Sequence, residues 1–197
     1  MSFKLGLTGS IGMGKSTTAR MFADEGCAVW DADAAVHRLY ALGGAAVGPI
    51  GHAFPTAVVD GAVSRDELRA IISEDATALT QIESIVHPLV AQDRAEFSGT
   101  ADAGVLVFDI PLLFETGGDT AMDAVAVVAV NDDIQEERVM ARGTMTREQF
   151  LAIRAKQMPT DEKCRRADYV IETYDLDDAR ARVRYVLADI ENRMRHA

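Results

Sequence analysis

Apolar residues follow two rhythms along this chain. Five short stretches are apolar almost without a break: 3–8, 27–30, 105–109, 124–130 and 169–171. Runs of that length without polar alternation mark parallel strands covered on both faces. Between them the apolar positions recur at helical spacing. In 16–24 they are Ala19, Met21, Phe22 and Ala23, and in 176–195 Val183, Val186, Leu187 and Ile190 lie opposite a charged face. Further helices are predicted over 34–42, 134–141, 146–157 and 160–166. Strands alternating with helices imply an α/β protein, a three-layer α/β/α sandwich around a parallel sheet.

Residues 43–100 break this alternation. Gly43-Gly44 ends a helix, and 51–61 reads as a loop around Pro55. Ser64-Arg65-Asp66-Glu67 matches a capping box that opens a helix to about residue 72. Helices over 76–86 and 88–97 are divided at His87-Pro88, because the residue before a proline disfavours the α conformation. The segment carries no strand signal and reads as a helical insertion between the second and third strands.

The first strand runs into Thr8-Gly9-Ser10-Ile11-Gly12-Met13-Gly14-Lys15-Ser16-Thr17 and then into a helix. The stretch fits G-x-x-x-x-G-K-[ST], and strand, glycine loop, helix is the order that this pattern requires. Glycines let successive N–H groups turn inward, and the helix N-terminus adds partial positive charge, so the loop is a nest for a polyphosphate. Lys15 is expected to reach the β- and γ-phosphates. The Ser16 hydroxyl would ligate Mg²⁺, and Thr17 would touch the α-phosphate. The second strand closes on Asp31-Ala32-Asp33 and the third on Asp109, carboxylates at the strand ends where open α/β sheets bind ligands. Asp109 is a candidate to hold Mg²⁺ through water.

Composition narrows the partners. Over 197 residues, 20 basic against 31 acidic side chains give a net charge of −11, which argues against non-specific nucleic-acid or anionic-membrane binding. Lysine occurs only at positions 4, 15, 156 and 163, so phosphate clamping beyond the loop falls to arginine. Gln135, Arg138 and Arg142 share one helix face, either as a phosphate-facing lid or as a solvated face paired with Asp133, Glu136 or Glu137. Cys27 and Cys164 have no metal or disulfide-framework spacing and read as reduced, buried thiols. No leader and no run of membrane-spanning length is evident, so the chain reads as cytoplasmic, and a monomer is favoured.

A phosphate nest serves kinases, switches and motors alike. A guanine reader should follow the fourth strand, but the residues there are Val130-Asn131-Asp132-Asp133, without the lysine; a transporter-type Ser-Gly-Gly signature is absent as well. Kinases insert a helical substrate-binding part and a mobile arginine lid that excludes water. Residues 34–100 and 132–160 are read as those two parts, on a core of 1–33 plus 101–197.

The chain resembles the dephospho-coenzyme A kinase family along nearly its whole length. The resemblance is carried by the loop, Asp31-Ala32-Asp33, Asp60-Gly61 with Ser64-Arg65 and Leu68, His87-Pro88, Pro111-Leu112-Leu113-Phe114-Glu115, Gln135 with Arg138 and Arg142, and Gln157 with Ala167-Asp168. It implies transfer of the γ-phosphoryl of ATP, with Mg²⁺, to the ribose 3′-hydroxyl of dephospho-coenzyme A, on a P-loop core of sheet order 2-3-1-4-5. It implies nucleotide contacts from Gly9, Ile11, Gly12, Met13, Gly14, Lys15, Ser16, Thr17, Arg138 and Arg142, with Lys15 and Arg142 also catalytic. Asp33 is favoured as general base, with Asp31 as the alternative; either could instead cap the helix that follows. Arg65 opposes its own helix dipole by a few tenths of a kcal/mol, which a ligand phosphate or a neighbouring acid would offset. His87 either caps the interrupted helix or faces the substrate. Phe54-Pro55 stands where the family has Phe-Gly, and Thr173 where it has Asn. A kinase for another small hydroxyl substrate and a non-catalytic nucleotide switch are the competing readings.

Overall fold

A computed structural model describes residues 2–196. They divide into two compact units, one of the residues up to Trp30 with those from Ala101 onward, the other of Asp31–Thr100.

The first unit is built on the apolar runs. β1 (Phe3–Thr8), β2 (Ala28–Asp31), β5 (Val105–Asp109), β6 (Ala124–Ala129) and β7 (Tyr169–Glu172) form one sheet in the order β2-β5-β1-β6-β7. β1 pairs in parallel with β5, Leu5 opposite Val107, and with β6, Leu5 opposite Ala124. Every residue of β5 and β6 is buried, which is why these segments lack alternation. The helices are α1 (Lys15–Asp24), α6 (Asp132–Ala141), α7 (Arg147–Lys156), α8 (Thr160–Arg166) and α9 (Leu176–His196). The buried stripes of α1 (Ala19, Met21, Phe22) and α9 (Ala179, Val183, Val186, Ile190) close over Leu5, Leu7, Val107, Ala126 and Ile171 in one core.

The second unit holds α2 (Ala32–Tyr40), α3 (Val47–Ala53), α4 (Arg65–Glu74) and α5 (Ala78–Thr100), packed around Leu39, Ile50, Val63, Leu68, Ile82 and Val86. It departs from the sequence reading in several places. It contains a two-stranded hairpin, β3 (Val58–Val59) with β4 (Ala62–Val63). This hairpin is why the sheet order departs in its numbering from 2-3-1-4-5. The turn is Asp60-Gly61, both at positive φ, 51° and 77°, the backbone that a tight two-residue hairpin needs. The expected loop over 51–61 begins as the last turn of α3 instead. α5 runs unbroken through Pro88, so His87 caps nothing and stands exposed inside the helix. The capping box at Ser64 is half formed: its hydroxyl accepts from Glu67 N–H, while its own N–H donates to the Ala57 carbonyl.

Among the described residues no helix is long and apolar enough to cross a membrane. Cys27 and Cys164 are free thiols, each partly exposed rather than buried.

Candidate functional site

β1 ends inside the sheet and the chain must reverse into α1 within a few residues, so the loop between them is shaped by its glycines. Gly12 and Gly14 sit at φ 82° and 90°, where a side chain is strained. Gly14 is the N-cap of α1 and offers no side-chain cap; its carbonyl accepts from the N–H groups of Thr17 and Thr18. The first N–H groups of α1 are therefore open to an anion. Ser16 and Thr17 lie exposed in that first turn.

Lys15 pairs with Asp109, the last residue of β5, whose side chain is 1 % exposed. A buried carboxylate at the end of one strand thus holds the ammonium at the mouth of the loop on the next. No group of His, Cys, Asp or Glu suited to hold a metal by itself occurs among the described residues. A cation at this loop would draw on other oxygens. The Ser16 hydroxyl makes no protein hydrogen bond among the described residues, and the Asp109 carboxylate is paired with Lys15, the residue before it; hydroxyl plus carboxylate is an oxygen donor set of the kind that Mg²⁺ takes beside phosphates.

Beside the loop a cavity of about 240 Å³ is lined by Gly14, Thr17, Thr18, Arg138, Arg142 and Thr173, among others. Thr173 is its joint. Its hydroxyl donates to the Met13 carbonyl at 2.7 Å and accepts from Arg138 Nη1 at 3.1 Å, while Arg138 Nη2 donates to the Thr173 carbonyl at 2.5 Å. A threonine here thus ties the loop to α6. The Met13 side chain is fully buried, and its sulfur accepts from Val130 N–H at 3.2 Å.

The arginine face of α6 divides. Arg142 is the exposed C-cap of the helix and faces the cavity with Arg138. Gln135 does not face a phosphate position: it is 1 % exposed, and its Nε2 donates to the Ile11 carbonyl at 2.7 Å. Glu136 pairs with Arg147 of α7 rather than with the helix's own arginines. A second cavity, of about 430 Å³, is lined by Ser10, Gln135, Arg154, Gln157 and Thr160, among others.

Glu115, part of the 111–115 run, is tied to a buried lysine. Lys163 of α8 is 0 % exposed, with its Nζ 2.9 Å from Glu115 Oε1 and 3.4 Å from the Pro111 carbonyl. Glu115 Oε1 also accepts from Met158 N–H at 2.8 Å. Burial pushes the Glu115 carboxyl up, but the Lys163 ammonium and the Met158 N–H outweigh it and hold it below its ordinary value. Nothing in a pattern search marks a lysine at a helical position as buried.

In the second unit, Asp31 is the N-cap of α2 and accepts from Ala34 N–H at 2.8 Å. Asp33, in the first turn of the same helix, is exposed and makes no hydrogen bond or ion pair among the described residues. The capping role thus falls to one carboxylate and leaves the other unengaged. Arg65, the first residue of α4, is exposed with its guanidinium 5.9 Å from the centre of the Tyr40 ring, so an aromatic face meets the charge that the dipole disfavours.

The dephospho-CoA kinase family model matches residues 3–178. The dephospho-CoA kinase of Ruegeria pomeroyi is 66 % identical over 197 residues, 100 % of each chain, and that of Cereibacter sphaeroides is 56 % identical over 188 residues, 95 % of each. Among solved structures, a Thermus thermophilus protein superposes with a TM-score of 0.85 at 34 % identity, covering 95 % of this chain and 97 % of its own. The dephospho-CoA kinase of Campylobacter jejuni does so with a TM-score of 0.69 at 22 % identity, covering 96 % of this chain and 98 % of its own, a likeness of fold.

Proposed function

The chain belongs to the dephospho-CoA kinase family, and from that premise we propose that it transfers the γ-phosphoryl group of ATP to the ribose 3′-hydroxyl of dephospho-coenzyme A. The products are coenzyme A and ADP, and the step is the last of coenzyme A synthesis. The observation that carries the reading is the loop itself: open N–H groups at the start of α1, with the Lys15 ammonium held at its mouth by Asp109.

Phosphoryl transfer leaves the protein little covalent work; the barrier falls through positioning and through cations placed where charge spreads. Lys15 is the point charge for the β- and γ-oxygens, and Arg142 adds a fork of donors beside it. Arg138, anchored on Thr173, contacts nucleotide at the wall of the same cavity. Ser16 and Asp109 would hold Mg²⁺, which supplies charge neutralisation on the triphosphate. Asp33 accepts the proton of the attacking hydroxyl as that oxygen bonds to the γ-phosphorus and the bond from phosphorus to the β-bridging oxygen breaks. Its lack of any structural partner supports that role over Asp31, which the helix cap occupies. Arg65 and His87 are assigned to dephospho-coenzyme A binding from the second unit.

The test is ADP release from ATP with and without dephospho-coenzyme A, in wild type, Asp33→Asn and Asp31→Asn. Asp33→Asn is expected to keep ATP binding and slow turnover by roughly 10²-fold. Asp31→Asn keeps a capping oxygen and should leave turnover within about threefold. ADP release indifferent to dephospho-coenzyme A would defeat the kinase reading, and the opposite mutant pattern would exchange the two aspartates.

A further inference from the structure

The apex of the loop is fastened from two sides by glutamines that the proposed chemistry does not use. Gln157, just past the end of α7, accepts from the Ile11 N–H through Oε1 at 3.2 Å. Gln135 of α6 donates through Nε2 to the Ile11 carbonyl at 2.7 Å. Both main-chain groups of one loop residue are thus held by side chains of the 132–160 segment, one from α6 and one from the C-cap of α7. The contact is tight. A Cβ on Gly12 would come within 2.6 Å of Val139 Cγ2 and 3.0 Å of the Gln135 carbonyl, so this stretch of loop lies directly on α6. Gln135 Oε1 is buried with no hydrogen-bond partner, so the amide is oriented by its one bond to Ile11.

We propose that Gln135 and Gln157 are positioning residues that clamp Ile11 and make the shape of the phosphate loop depend on where α6 and α7 stand. An amide is suited to both ends of this clamp. It supplies an acceptor to an N–H and a donor to a carbonyl without setting a net charge beside a polyphosphate, as a carboxylate or an ammonium would. The clamp holds the Ile11 N–H on protein and keeps the apex from collapsing into the nest, so the donors further along the loop stay preorganised. The helices cannot swing away without carrying Ile11 or breaking both bonds. The functional consequence rests on the phosphate-binding reading of the loop; the clamp itself does not.

Amide exchange of Ile11, measured at single-residue resolution in the nucleotide-free protein, reads the clamp directly. In Gln157→Leu, which removes the acceptor, exchange at Ile11 should rise about 10-fold, whereas Gln157→Glu keeps an acceptor and should keep the protection. Unchanged exchange in Gln157→Leu overturns the proposal. The kinetic arm compares Gln135→Ala, Gln157→Ala and the double variant at saturating dephospho-coenzyme A. Each single change should lower kcat/KM for ATP about 10-fold, and the double should fall no more than about twofold below the worse single, because both act on one residue. Single losses that multiply in the double overturn the coupling. Gln157 is only half buried, so its arm decides the matter even where Gln135→Ala does not fold. A protein that turns over no dephospho-coenzyme A would sink the kinase reading while the exchange result still decides the clamp.

Discussion

Removing one partner of the pair between Lys163 and Glu115 is expected to be among the most damaging single changes outside the loop itself. Lys163 is 0 % exposed and Glu115 17 %, and the ammonium lies 2.9 Å from Glu115 Oε1 with the Pro111 carbonyl as a further neighbour at 3.4 Å. Glu115→Gln keeps the shape but leaves a buried cation facing a neutral amide. Breaking such a pair from one side costs about 3 to 5 kcal/mol, against roughly zero when both charges give way to apolar side chains of similar volume. At about 2 to 4 °C per kcal/mol for a chain of this size, Glu115→Gln should lower the midpoint of thermal unfolding by about 6 to 20 °C. Lys163→Met, which leaves a carboxylate less deeply buried, should lose less. The double Glu115→Leu/Lys163→Met should recover most of the loss. Denaturant titrations of wild type, Glu115→Leu, Lys163→Met and the double give the coupling, expected at about 2 kcal/mol or more. Single losses under about 1 kcal/mol, or losses that add in the double, would refute the reasoning. The sign of the pH dependence follows from the carboxyl. Its folded value lies below the ordinary 4.5, so its contribution is present above that value and lost as pH falls through the lowered one. Wild type should therefore lose more stability than Glu115→Gln on acidification below about pH 4.5.

Three further outcomes test the site and its surroundings. Lys15→Ala should cost on the order of 3 kcal/mol of transition-state stabilisation in kcat/KM while the protein stays folded; near-normal turnover would remove the loop from the centre of the chemistry. Arg142→Ala should depress kcat more than it weakens ATP binding, and hydrogen exchange across 132–160 should slow when ATP and dephospho-coenzyme A are both present; unchanged kcat and binding would leave Arg142 a solvated cap, and equal exchange would rule out the lid. Burial, with Glu25 adding to it, pushes the Cys27 thiol up to about 11. Its alkylation at pH 8, followed by peptide mass spectrometry, should run about 10²-fold slower in the native protein than in the unfolded chain.

What could be read directly from the chain was whatever repeats locally. β5 and β6 showed as unbroken apolar runs because both faces are covered, and the turn between β1 and α1 showed because positive φ at Gly12 and Gly14 demands glycine there. The β3–β4 hairpin escaped because two residues per strand are too few for any period; only Asp60-Gly61 could have signalled it. α5 runs through Pro88 because packing of Ile82 and Val86 against Leu39 and Leu68 outweighs one missing hydrogen bond. Periodicity reports which face of an element is apolar, never which distant group a polar side chain will meet. Gln157 finds Ile11 across 146 positions, Thr173 finds Met13 across 160, and Lys163 finds Pro111 across 52. Such partners are chosen by the folded sheet, which brings strand ends and loops together and leaves most buried polar atoms with a match. The residue types of a phosphate-transfer site therefore stood in the sequence, while tertiary packing alone decided which of them hold the loop and which are left open to react.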